Sequence, residues 1–157
     1  MQYSLLLSTL LPLLATASPL VERAGGPVAK PIPAQCTVIN PLPHANCGTA
    51  NVNGYKPSPA FVKANLLYQA YFEATGTPTD QAKFCKQQCY GYGTPGECKS
   101  SFVGYSVPVP KGYLGGAGGQ LETGCLLFSD YLDPNSFVQA PSGQYLTATA
   151  ANIYCPA

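Results

Sequence analysis

Seven cysteines, Cys36, Cys47, Cys85, Cys89, Cys98, Cys125 and Cys155, in a chain of 157 residues set the strongest limit on how it folds. A chain this long is one module at about 100–200 residues per domain. In an exported chain the default use of such cysteines is disulfide bonding, and three bridges plus one unpaired thiol is the simplest sum. A metal reading would rest on Cys85-x3-Cys89 with Cys98, but structural zinc sites take four ligands, usually from two close pairs. No metal and no cofactor is expected.

The N-terminus supports the exported reading. Residues 1–17 form an apolar run closing on Ala15-Thr16-Ala17, the small-x-small pattern a signal peptidase accepts, with cleavage expected before Ser18. Crossing a bilayer takes about 20 apolar residues, more than this run offers, so no membrane span is expected. Residues 18–34 are rich in Pro, Gly and Ala without periodicity and read as a disordered leader or pro-segment. Arg23, the only arginine, is a candidate processing point within it. Residues 35–157 are then a single cysteine-rich domain, and the expected localisation is secreted and extracellular.

Eight Lys and Arg against seven Asp and Glu give a net charge of +1, and charged residues are 10% of the chain, against about 25% in an average globular protein. Nucleic acid is therefore not an expected partner, and long-range electrostatic steering is weak. A hydrophobic content of 46% with 16 Gly and 16 Pro describes a folded, turn-rich domain.

Residues 36–57 carry Asn, Pro and Gly at turn-forming density and predict loops with at most one short strand. After Ser58-Pro59, Phe61, Ala64, Asn65, Tyr68 and Phe72 recur at helical spacing beside Leu67 and Tyr71, predicting a helix over 59–75 stopped by Gly76. Thr77-Pro78-Thr79-Asp80 fits a capping box, and a second helix is expected over about 78–90. Cys85 and Cys89 lie one turn apart on its face, so they anchor it through two separate bridges rather than to each other. Cys98 follows a tight turn and is close enough in sequence to return to Cys89. A strand over 99–107 places Val103, Tyr105 and Val107 on one face and Phe102 on the other. Residues 111–120 read as a mobile glycine-rich loop, 121–128 as the next strand, Asp133-Pro134 as a helical turn, and 144–155 as a closing strand.

Phe84-Cys85-Lys86-Gln87-Gln88-Cys89, Cys98-Lys99-Ser100-Ser101-Phe102 and Gly124-Cys125-Leu126-Leu127-Phe128 together resemble the PAN/apple module of small secreted fungal cysteine-rich proteins. The overlap covers about residues 80–130. The resemblance implies an α+β fold, a helix packed on a small antiparallel sheet, here with an added N-terminal helix. It implies Cys85–Cys125 and Cys89–Cys98 bridges, with Cys155 taking Cys36 or Cys47. It also implies a non-enzymatic binding module for carbohydrate or an extracellular protein. The insertion at 106–120 and the helix at 59–75 depart from the family pattern.

No catalytic set stands out. The single histidine, His44, sits between Pro43 and Ala45 in a turn-rich stretch, and no GxSxG elbow occurs. Glu122, Asp130 and Asp133 are close in sequence and are the only paired-carboxylate candidates, but Asp133 caps a turn and the other two read as solvated strand ends. Gly115-Gly116-Ala117-Gly118-Gly119 lacks the lysine and spacing of a phosphate loop. Among 11 tyrosines, Tyr90, Tyr92 and Tyr113 lie near glycines and are the expected exposed ligand contacts, on loops 90–96 and 108–120, since a tyrosine ring stacks while its hydroxyl bonds outward. The alternative is a small secreted effector or wall-associated structural protein without a dedicated ligand.

Overall fold

The structure, a computed structural model, describes residues 26–43, 54–73 and 76–156. The calls on the signal segment, Arg23, His44 and Cys47 fall outside these residues. Along the chain come β1 (Thr37–Ile39), β2 (Tyr55–Pro57), α1 (Pro59–Asn65), β3 (Leu66–Phe72), α2 (Pro78–Gly91), β4 (Ser100–Pro108), β5 (Leu121–Phe128), β6 (Phe137–Gln139) and β7 (Leu146–Tyr154), with short 3-10 turns at Tyr113–Gly115 and Pro134–Ser136. Among the described residues the fold is α+β, with two helices, an antiparallel five-stranded sheet in the order β1-β7-β4-β5-β3, and a β2-β6 pair.

The α2 helix begins where its cap chemistry places it. Thr77 accepts the Asp80 N–H at 3.2 Å, and its hydroxyl donates to the Asp80 carboxylate at 2.7 Å. The helix lies on one sheet face through Cys85–Cys125 and Cys89–Cys98, while Cys36–Cys155 joins the chain just before β1 to the end of β7. Around these sulfurs pack Val103, Leu127 and Ile153. The opposite face buries Phe102, Leu126, Phe128, Leu132 and Phe137, covered by α1 and the β2-β6 side, where Phe61 meets Phe128 edge-on.

Several expectations are corrected. The helix predicted over 59–75 ends at Asn65, because the following seven residues pair with β5 as an edge strand. Two short strands, not at most one, occur within 36–57. Residues 26–34, expected to lack structure, form a strap along α2: Lys30 N–H donates to the Gln87 carbonyl at 3.0 Å, and Ile32 packs on the core. The stretch 109–120 is closed by backbone bonds between Val109 and Gln120 and between Gly119 and Val109, with a 3-10 turn at its tip, rather than left as an open glycine loop.

The β4 strand also departs from simple alternation. A bulge at Ser106 (φ 53°) moves Val107 off the face of Val103 and Tyr105. Gly104 and Gly124 stand opposite each other, and the space above them is filled by Val107, with Phe102 and Tyr145 over Gly104 and Tyr71 over Gly124.

Candidate functional site

The three tyrosines singled out in the sequence are half-buried, and they do not converge. Tyr92 packs on the α2 core and donates its hydroxyl to the Leu67 carbonyl at 3.3 Å. Tyr113 stacks edge-on against Tyr71 with centroids 4.9 Å apart, and its hydroxyl accepts the Tyr71 N–H at 3.3 Å. Both hydroxyls therefore bond main-chain groups of β3. Loops 90–96 and 108–120 precede and follow β4, whose nine residues span about 30 Å. The two loops therefore do not form one surface.

Tyr90 is differently placed. It lines a cleft of about 270 Å³ with Pro95, Lys99, Tyr131, Cys155 and Pro156, next to the Cys89–Cys98 and Cys36–Cys155 bridges. The exposed platform of this cleft is Tyr131, stacked on Tyr154 with centroids 4.3 Å apart and planes 19° from parallel. Both rings are more than a third exposed, at 36% and 38%. The Lys99 ammonium lies 5.4 Å from the Tyr131 centroid and 3.6 Å from the Asp130 carboxylate. It is held between a ring and an anion.

The backbone under Tyr131 is fixed on both sides. Ser100 Oγ, fully buried, donates to the Asp130 carbonyl at 2.6 Å. The Asn152 amide, on β7, accepts the Leu132 N–H at 3.0 Å and donates to the Leu132 carbonyl at 2.7 Å, imitating a strand partner. Asp133 begins the following turn with a full capping box, accepting the Ser136 N–H at 2.8 Å while the Ser136 hydroxyl accepts the Asp133 N–H. Asp130 is thus paired with Lys99, and Asp133 is used as a cap. Glu122 lies on β5. Among the described residues no cluster of His, Cys, Asp and Glu is arranged to hold a metal ion.

Sequence reasoning missed Tyr131 and Tyr154. They are 23 positions apart and meet only because Asn152 ties the segment after β5 to β7. The one local signal was Tyr131 directly before a buried leucine and an Asp-Pro turn, a context that fixes a ring at the surface. Among the described residues, Tyr55, Tyr68, Tyr105 and Tyr145 pack against the core. Burial, with the phenols of Tyr145 and Tyr113 nearby, pushes the Tyr71 hydroxyl up to about 12, and burial also raises Tyr145.

Compared with known proteins, the chain matches no family model, no curated protein and no solved structure.

Proposed function

We propose that the chain is a secreted, non-enzymatic, disulfide-stabilised binding module of PAN/apple-like type whose Tyr131 cleft takes a carbohydrate. The observation that carries this reading is the Tyr131–Tyr154 stack, an exposed aromatic surface held rigid by Asn152 and Ser100. A pyranose presents an apolar C–H face that stacks on such a ring, while its hydroxyls need donors and acceptors at the rim. Lys99 and Asp130 supply both. A preformed ring loses little side-chain entropy on binding, which suits a small cleft. Export is supported by the three bridges and the N-terminal run, and the PAN/apple-like assignment by a helix carrying two cysteines bonded to separate partners.

A glycan array followed by calorimetry on the best oligosaccharide tests the reading. Tyr131→Ala should weaken binding at least ten-fold while leaving all three bridges intact by peptide mapping. Absence of any glycan ligand, or equal affinity in the variant, overturns it.

A further inference from the structure

Among the described tyrosines, Tyr131 and Tyr154 are the two exposed to solvent, and the others are half-buried. These two are also each other's neighbour. Their rings lie face to face, with centroids 4.3 Å apart and planes 19° from parallel, which sets carbons of one ring near contact distance, about 3.5–4.0 Å, from carbons of the other. Tyr71 and Tyr113 also pair, but at 79°, so an edge of one ring meets a face of the other. One side chain holds both exposed rings in place. The Asn152 amide bonds the Leu132 backbone next to Tyr131, and its Nδ2 donates to the Tyr154 hydroxyl at 3.4 Å. That bond occupies the phenol oxygen as an acceptor and leaves its proton free to depart.

From this geometry we propose that Tyr131 and Tyr154 are a modification site, where a haem peroxidase with hydrogen peroxide joins the two rings by an oxidative cross-link within the chain. Each phenol gives up one electron and one proton, and the peroxide takes both pairs and leaves as two waters. The two phenoxyl radicals, already stacked, couple between ring carbons ortho to the hydroxyls. The hydrogens on those carbons then move to the oxygens, which restores two phenols joined by one carbon–carbon bond. The chain loses two hydrogens in all. A partner held in contact makes the coupling unimolecular, so it precedes collision with a second chain. Each ring is more than a third exposed, which lets the oxidant reach it. No sugar in the cleft is required. The bond ties the segment after β5 to the end of β7, beside Cys36–Cys155, and reductant does not open it.

Treatment of the purified chain with a haem peroxidase and hydrogen peroxide, followed by reduction, alkylation and trypsin, tests this. No lysine or arginine follows Lys111, so both rings lie on one tryptic peptide, and mild acid splits it at Asp133-Pro134, the chain's only Asp-Pro bond. The monomer should lose two hydrogens, and the two acid fragments should stay joined through Tyr131 and Tyr154. Dityrosine fluorescence of the monomer should fall at least ten-fold in Tyr131→Phe and in Tyr154→Phe, each with the three bridges mapped as unchanged, while Tyr113→Phe leaves it unaltered. No cross-link, cross-links only between chains, joining through other tyrosines, or undiminished monomer fluorescence in either of the first two variants overturns the proposal.

Discussion

Gly91 ends α2 against the carbonyl of Val28, with no space for a Cβ. Gly91→Ala must lift the strap from the helix, at a cost of about 1–3 kcal/mol as for other overpacked sites, measured as a lower midpoint in denaturant. Thr147 lies at the other extreme. It is exposed and held at φ 47°, a conformation unfavourable for a β-branched side chain. Thr147→Gly should therefore raise stability by about 1 kcal/mol, the usual scale of left-handed strain, measured as a higher midpoint in denaturant. Tyr71 gives a pH effect of defined sign. Its phenol ionises near 10 in the unfolded chain and about 12 in the fold, so the native state holds a proton the unfolded state has lost. Stability contributed by the neutral phenol is complete below pH 10 and is lost as pH rises toward 12. Denaturation midpoints across that range should fall less steeply in Tyr71→Phe.

At the scale of elements, the three devices most local in sequence were readable: the Thr77 cap, the one-turn spacing of Cys85 and Cys89, and the Asp133-Pro134 turn. The β5 strand was readable too, since its apolar run between Gln120 and Ser129 leaves no helical alternative. The β3 strand was not, because Leu66, Leu67, Tyr68, Tyr71 and Phe72 satisfy a helical period as well as a strand, and pairing with β5, far along the chain, decides between them. The Tyr131 cleft was hidden for the same reason, being assembled by a buried amide 20 residues away. The role of β3 as an edge also explains the misplaced tyrosines. Tyr92 and Tyr113 cover main-chain groups that would otherwise invite another strand. Removing both hydroxyls, in Tyr92→Phe with Tyr113→Phe, should leave the fold intact and increase concentration-dependent self-association in sedimentation velocity.

For the whole molecule, the three bridges divide into two kinds. Cys85, Cys89 and Cys125 are 1% exposed or less and Cys98 is 6% exposed, whereas Cys155 is exposed and Cys36 half-buried. Mild reductant should therefore open Cys36–Cys155 first, seen by alkylation of these two thiols alone. That bridge spans a separation of 119 residues, and the entropy of closing so long a loop corresponds to about 5 kcal/mol, against about half that for the nine-residue separation of Cys89–Cys98. Its loss should produce the larger fall in thermal midpoint of the two. The same bridge brings the α-carbons of residues 36 and 155 to 4.2 Å. Clasped at that point, the outermost strand β1 and the end of β7 should peel from the sheet together once the sulfurs part, while the helix stays pinned by its two buried bridges.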